Sequence, residues 1–146
     1  MEAPPTDVSP RRRQFAGGRD MTDLHPSMDA YGGGGLVMSV HDLGRLTAAL
    51  FEGRVLRRKA TLAEMLTPTE AEGGDGYRLG VMATRAGDTD VYGHVGYWGT
   101  AAYYVPALGI ALAGFVAERD RRASLIDAML GFVATIGGAG NADPEF

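Results

Sequence analysis

The chain has 146 residues, enough for one compact domain, and its 45% hydrophobic and 22% charged residues exclude a wholly disordered or collagen-like chain. A formal net charge of -4 gives no general electrostatic reason to bind nucleic acid or acidic lipid. The absence of cysteine excludes disulfides, thiolate metal sites and a cysteine nucleophile.

The N-terminal sequence has no apolar stretch typical of a secretory signal, and no apolar run reaches the roughly 18 residues of a transmembrane helix. By default we therefore expect a cytoplasmic chain without a membrane partner. Residues 1–35 contain four of the seven prolines, a run of three arginines and a run of four glycines, and they show no helical or alternating period. We expect an irregular, solvated N-terminal arm over 1–35.

The first periodic segment predicts a helix over 39–52. Ser39 is a suitable N-cap, and Asp42 stands three residues later at the capping-box position. Apolar residues then recur at spacings of three and four, and Gly53 is placed to end the helix.

A second, shorter helix is predicted over 61–66. Thr61 and Glu64 have the spacing of a capping box, and Pro68 prevents continuation of the helix.

The pattern then changes to a period of two, which indicates strands with one buried face. The predicted elements are strands over 77–84, 90–95, 100–105 and 110–117, then a helix over 121–136 that Gly137 and Gly138 end. The nearly continuous apolar strand over 110–117 is expected in the centre of the sheet. Short connections favour antiparallel neighbours. We predict an α+β fold: about four antiparallel strands, a C-terminal helix packed on one face, and short helices before the sheet, as a domain over 36–138 with a tail over 139–146.

The segment 92–100 carries the most informative chemistry, because three glycines there surround His94 and two aromatic residues, Tyr97 and Trp98. Small residues, exposed N–H groups and a titratable ring suit the edge of a ligand site. A glycine-rich hairpin with an aromatic plug over the core explains the same residues. Both interpretations are open at this point.

Other chemical patterns are weaker. Ser39, His41 and Asp42 are close in sequence, but neighbouring helical positions point in different directions, and the N-cap explains Ser39 and Asp42. The sequence has no G-x-S-x-G, H-E-x-x-H or phosphate-loop pattern. We therefore expect no metal and no cofactor.

Three stretches in order resemble one family. They are the segment 31–46 (YGGGGLVMSVHDLGRL), the segment 60–68 (ATLAEMLTP), and the strand residues 77–81, 93–96 and 103–106. Over about 30–135 the chain resembles the C-terminal part of the serine beta-lactamase and penicillin-binding-protein superfamily, in its class C-like branch of esterases, D-aminopeptidases and DD-peptidases. The resemblance implies a partial beta-lactamase-like fold and hydrolysis of a small ester, amide or lactam.

The resemblance also implies roles for five consecutive residues, because the family's third motif lies on a strand beside the active site. His94 would be the polar group that faces substrate, and the N–H of Tyr97 would be an oxyanion-hole donor. Val95 and Gly96 would border the substrate, Val95 without the hydroxyl usual there and Gly96 by allowing close approach. Trp98 would line the rim of the pocket.

The family's nucleophile motif, S-x-x-K, is missing. The residues three positions after the four serines are Arg12, Ala30, Asp42 and Asp127, and Leu56 precedes the only lysine, Lys59, by three. No tyrosine has the Y-x-N pattern of the second motif. We therefore expect a truncated hydrolase domain with little or no activity alone. Two alternatives stay open: a small hydrolase with a different mechanism centred on His94, and a binding or assembly module that forms homo-oligomers or takes a complementing half through exposed sheet surface.

Overall fold

A computed structural model describes residues 12–24, 34, 36–68 and 76–139. The elements in chain order are strands β1 (Phe15–Ala16) and β2 (Arg19–Asp20), helices α1 (Val40–Phe51) and α2 (Lys59–Met65), strands β3 (Met82–Ala86), β4 (Thr89–Val95), β5 (Thr100–Val105) and β6 (Ile110–Phe115), and helix α3 (Arg122–Ala139) after a 3-10 turn (Arg119–Arg121). None of the helices described is long and apolar enough to cross a membrane.

The main sheet has the order β3-β4-β5-β6, and each strand pairs antiparallel with the next along the chain. A two-residue turn at Gly87 and Asp88 joins β3 to β4, and Gly87 adopts a φ of +60° there. The predicted α+β class, the antiparallel sheet of four strands and the C-terminal helix are confirmed.

One face of the sheet packs against α3. Val91, Val105 and Val133 are almost completely buried in this layer. Burial of each such side chain stabilises the fold by about 1.5–3 kcal/mol, so this layer is the main hydrophobic core.

The other face of the sheet packs against α1. The Phe51 ring stacks on the Tyr104 ring, with 5.2 Å between ring centroids and 3° between planes. Gly44 of α1 lies so close to β6 that a Cβ on it would be 3.7 Å from the Cβ of Ala113. Gly114, the next residue along, faces Leu125 and Met129 on α3. The sheet therefore lies between two helices.

The prediction that the apolar strand over 110–117 is central is wrong. Among the described strands, β6 is at an edge of the sheet, and it ends at Phe115. Its continuous apolar sequence reflects helices on both faces, α1 against Ala113 and α3 against Gly114. Burial of both faces gives the same pattern as a central position, so sequence periodicity cannot distinguish them.

The capping predictions are confirmed at α1 and wrong at α2. The Ser39 hydroxyl accepts from the Asp42 N–H at 3.0 Å and donates to the Asp42 carboxylate at 2.7 Å. Helix α2 starts at Lys59, two residues before the predicted box, and its N-cap Arg58 makes no side-chain capping bond. Thr61 is therefore inside the first turn of α2.

Two further boundaries differ from the predictions. The strand predicted over 77–84 starts only at Met82, because a tight turn with Gly80 at a φ of +74° folds Tyr77 back into an isolated bridge with Met82. Helix α3 continues through Gly137 to Ala139. A Cβ on Gly137 would lie 2.5 Å from Thr89 Oγ1, so this glycine allows close helix–sheet packing and does not end the helix.

Within the arm predicted to be irregular, residues 12–24 contain the β1–β2 hairpin. Its turn uses Gly17 and Gly18 at positive φ. The Phe15 N–H donates to the Ala117 carbonyl at 2.8 Å, which attaches the hairpin to the chain after β6. Two-residue strands are too short for an alternating pattern, so the sequence could not predict them. The rest of the arm, except residue 34, and the tail beyond Ala139 lie outside the described residues.

The pairing of β4 with β5 can be tested at Gly93. A Cβ there would lie 2.0 Å from the Ala102 carbonyl oxygen and 2.8 Å from the Tyr103 Cα, both backbone atoms that no rotamer change can move. We expect Gly93→Ala to lower the free energy of unfolding by about 2–3 kcal/mol in urea titrations. Gly131→Ala on an exposed part of α3 is the control, and it should stabilise by about 0.5–1 kcal/mol. A wild-type midpoint for Gly93→Ala would contradict this pairing.

Candidate functional site

The C-terminal end of β4 extends past its neighbour in the sheet. The pairing of β3 with β4 begins at Met82 opposite Gly93, so His94 and Val95 lie beyond the paired part of β3. On the other side, the Gly96 N–H donates to the Thr100 carbonyl at 2.8 Å. Because backbone groups alternate in direction along an antiparallel strand, those of Val95 point away from β5. A strand inside the sheet thus has a short free edge.

His94 is exposed at this edge, and both of its ring nitrogens are engaged. Nδ1 lies 2.9 Å from the Val95 carbonyl oxygen, and Nε2 lies 3.1 Å from the Tyr77 hydroxyl oxygen. A carbonyl can only accept a hydrogen bond, so Nδ1 carries the proton of the neutral ring. Nε2 then accepts from the Tyr77 hydroxyl. The two contacts fix both the tautomer and the orientation of the imidazole.

Tyr77 is a site residue that the sequence analysis missed. It was assigned to a strand as part of an alternating pattern, whereas the tight turn before β3 brings its ring edge-on to His94, with 5.8 Å between centroids. The signal available in the sequence was the position of Tyr77 in one of the motifs that carry the resemblance. Its spacing of 17 residues from His94 gives no indication of contact.

Tyr97 and Trp98 lie in the turn between β4 and β5. Their rings form an edge-to-face pair with 5.0 Å between centroids, and Tyr97 is 51% exposed. Among the described residues, no atom accepts a hydrogen bond from the Tyr97 backbone N–H. This N–H therefore has the free donor capacity that an oxyanion-hole role requires.

Arg119, a second missed residue, holds the Tyr97 side chain. Its Nη1 donates to the Tyr97 hydroxyl at 2.6 Å, and its guanidinium carbon lies 5.3 Å from the ring centroid. Its Nε and Nη2 donate to Asp120 at 3.0 and 2.8 Å. The hydrogen bonds with Asp120 first, and with Tyr97 second, raise the pKa of Arg119 above its ordinary value.

Asp120 connects this cluster to the N-terminal hairpin. Its second carboxylate oxygen accepts from the Gly17 N–H at 3.0 Å. The Arg119 hydrogen bonds, followed by the Gly17 N–H, lower the pKa of Asp120. Asp120 is thus held as a carboxylate at neutral pH, the form that accepts from both groups.

Two of the five predicted site residues have local structural roles. The Val95 side chain is half-buried against the core on the α3 side, so only its backbone is available at the edge. A Cβ on Gly96 would lie 2.0 Å from Thr100 Oγ1, so a larger residue there requires the Thr100 side chain to move. The prediction that Gly96 admits a substrate stays a prediction.

A cavity of about 410 Å³ lies beside the turn, between Tyr97 and the start of α3. Its lining residues are Tyr97, Arg119, Asp120, Arg122, Ala123 and Ile126. Tyr97 contributes to this cavity, whereas His94 contacts Tyr77 near β3. The structure thus forms two clusters, His94 with Tyr77 and Tyr97 with Trp98 and Arg119, joined by the backbone of 95–96. Within the described parts of the chain, no three His, Asp or Glu side chains are grouped to hold a metal ion.

Comparison with known proteins gives one match. A family model with the description Beta-lactamase matches residues 2–134. The match covers the described strands, the turn at 96–99, α1, α2 and most of α3, and it starts well before the segment at 31–46 where the resemblance begins. No curated protein and no solved structure matches the chain.

The tautomer of His94 can be tested by long-range ¹⁵N–¹H NMR at a pH where the ring is neutral. We expect a protonated Nδ1 and an unprotonated Nε2, because the Val95 carbonyl needs a donor. His41, whose side chain is 79% exposed, is the internal reference in the same spectrum. Tyr77→Phe should retain the Nδ1 proton and change the Nε2 shift. A proton on Nε2 in the wild-type chain would contradict this arrangement.

Proposed function

Because the chain belongs to the beta-lactamase family, we propose that it forms the substrate-binding edge of a beta-lactamase-like serine hydrolase. The substrate class is a small ester, amide or lactam, and the residues that contact it are His94, Tyr97 and Trp98 with the backbone of Val95 and Gly96. In this chain alone the edge binds the acyl group without catalysing acyl transfer.

The free end of β4 is the observation that carries the proposal. Because β3 pairs only up to Gly93, no described strand pairs with the Val95 N–H, and an extended ligand can accept from it, whereas the Val95 carbonyl already accepts from His94 Nδ1. The Tyr97 N–H has no acceptor among the described residues. A donor of this kind can stabilise a developing oxyanion, and removal of one such donor costs roughly 10²–10³ in rate.

His94 contributes orientation and polarity at this edge. In the neutral ring, Nε2 is the only basic atom, and it already accepts from the Tyr77 hydroxyl. A water molecule must displace that contact before His94 can act as its base. This observation favours a binding role for His94 over the alternative of a small hydrolase centred on it.

The missing nucleophile limits what the edge can do. The 146 residues contain no S-x-x-K and no Y-x-N, so they provide neither the serine–lysine pair nor its partner. Nucleophile, base and oxyanion donor act as a unit, and removal of the first two leaves only a small residual rate enhancement. Turnover by the acyl-enzyme route therefore requires a serine from outside these residues.

Hydrolysis assays test this function directly. We expect no turnover of p-nitrophenyl butyrate or of a chromogenic cephalosporin above the buffer rate, for the wild-type chain and for His94→Ala alike.

In NMR titrations with phenyl methylphosphonate, a mimic of the tetrahedral intermediate, we expect shifts of the Tyr97 and His94 signals. Clear turnover that His94→Ala abolishes would instead support a working hydrolase, and a phosphonate titration without shifts would remove the binding role.

A second candidate function is an assembly module, favoured by exposed apolar residues on and before α1. Leu36 and Val37 are 76% and 69% exposed, and Val40 and Leu46 are 43% and 41% exposed. Leu46 lies on another side of α1 from Gly44 and Phe51, the residues that contact the sheet, whereas Val40 shares their side near the start of the helix. We propose a second copy of the chain as the occupant of this surface, because a two-fold pair of antiparallel α1 helices brings the exposed Asp42 of each copy near Arg45 of the other.

Light scattering across a range of concentrations tests the assembly. We expect the mass to rise from monomer to dimer with concentration, since burial of apolar surface drives the association. Leu46→Lys should shift this transition to at least tenfold higher concentration, which corresponds to about 1.4 kcal/mol of lost association free energy. Leu108→Lys, at a partly exposed position in the turn between β5 and β6, is the control. A strict monomer at high concentration would remove this function.

A further inference from the structure

The turn at 96–99 carries the proposed oxyanion donor, yet its own sequence does little to hold it. Gly96 and Gly99 flank the two aromatic residues, and Gly99 has a φ of +96°. Glycine has the largest conformational freedom of any residue, so a turn between two glycines loses much entropy when it is fixed. A donor acts on an oxyanion only when it is held in position beforehand. The backbone hydrogen bonds that close the turn run from the Gly96 N–H to the Thr100 carbonyl at 2.8 Å and from the Gly99 N–H to the Gly96 carbonyl at 3.3 Å. Neither of them involves Tyr97, so the hydrogen bonds that fix this residue come from outside the turn.

Three residues outside the turn contact it from one direction. Arg119 donates to the Tyr97 hydroxyl at 2.6 Å and lies over the ring, Arg122 Nη1 is 3.5 Å from the Gly96 carbonyl oxygen, and the Val116 N–H donates to the Gly99 carbonyl at 2.9 Å. Of these, the Arg119 contact is the shortest and is charge-assisted. It is also the only one of the three contacts that involves the Tyr97 side chain.

Arg119 is in turn fixed by its neighbour Asp120, which is itself bound by a residue distant in sequence. Asp120 accepts from its Nε and Nη2, and the Gly17 N–H of the N-terminal hairpin donates to the other oxygen of Asp120. Two guanidinium nitrogens that donate to the same carboxylate oxygen leave the Arg119 side chain few rotamers. The direction of Nη1 toward Tyr97 is therefore set by a chain of contacts that starts at the hairpin.

We propose that Arg119 is a positioning residue for the turn at 96–99, and that Asp120 and the β1–β2 hairpin orient it. The hairpin and the start of α3 thereby hold the Tyr97 N–H where the proposed function uses it. That Arg119 holds the turn in place does not depend on the proposed function. Only the role of the turn as an oxyanion donor rests on that function.

A different use of Arg119, as an anion ligand in the 410 Å³ cavity, fits the contacts less well. Its Nε, Nη1 and Nη2 each donate within the chain already, and Asp120 places a carboxylate in the same lining. An incoming anion has to compete with that carboxylate. Fixing the aromatic side chain requires no such exchange.

Trp98 makes the proposal measurable, because it is the only tryptophan in the chain and lies in the turn. Arg119→Lys retains the charge and loses the planar fork that contacts Asp120 and Tyr97 together. We expect acrylamide to quench Trp98 fluorescence roughly twice as efficiently in this variant under native conditions.

Tyr97→Phe should give a similar increase in quenching. The double variant should not exceed the larger single effect, since both changes remove the same contact. Arg121→Lys, an exposed neighbour that makes no side-chain bond among the described residues, is the matched control and should quench like the wild type.

Titration with phenyl methylphosphonate separates this proposal from the function. We expect Arg119→Lys to bind the phosphonate roughly threefold to tenfold more weakly than the wild type and Arg121→Lys. Increased quenching in Arg119→Lys, with no phosphonate binding by the wild-type chain, would support the positioning role and remove the proposed function. Unchanged quenching in Arg119→Lys, whether or not its urea midpoint falls, would overturn the positioning role and leave Arg119 as a stabilising residue only.

Discussion

The structure depends on the burial of one antiparallel sheet between two helices. Val91 and Val105 are sealed against Val133 of α3, while Phe51 of α1 stacks on Tyr104 from the opposite side. Strands β5 and β6 contact both helices. Strand β4 is positioned by its pairing with β5, and the candidate site begins at the free end of β4.

The site is a set of short-range constraints placed on that free end. The His94 ring bonds the carbonyl of the next residue and a tyrosine that a tight turn returns to it. Three residues after His94, Tyr97 is held by Arg119, which follows β6. Both side chains are exposed, yet hydrogen bonds fix the orientation of each. Such order at the surface is expected where a ligand must meet groups already in place.

The chain belongs to the beta-lactamase family but lacks the family's serine–lysine motif. The two facts are compatible if oxyanion stabilisation and covalent catalysis are treated as separate tasks. Oxyanion stabilisation needs oriented N–H groups, which a strand end and a turn can provide. Covalent catalysis needs a nucleophile beside its base, and the family motif for that pair is missing from these 146 residues. Under the proposed function, the chain supplies the part of the machinery that binds and polarises an acyl group. The hairpin is connected to the turn at 96–99, although it lies about eighty residues before it in sequence, because Asp120 joins Gly17 to Arg119.

Local sequence signals were sufficient to predict several elements. Ser39 marked the start of α1, the glycine-rich turns separated the strands, and ordered motifs pointed to the family and to the segment around His94. Tertiary structure decided everything that depends on what lies across the fold. It placed β6 at an edge, because two covering helices mimic the apolar pattern of a central strand. It assigned Gly137 to packing against Thr89, and it brought Tyr77 to His94 and Arg119 to Tyr97. Periodicity reports which faces of an element are buried, whereas the identity of the neighbour on each face is fixed only when the elements pack together.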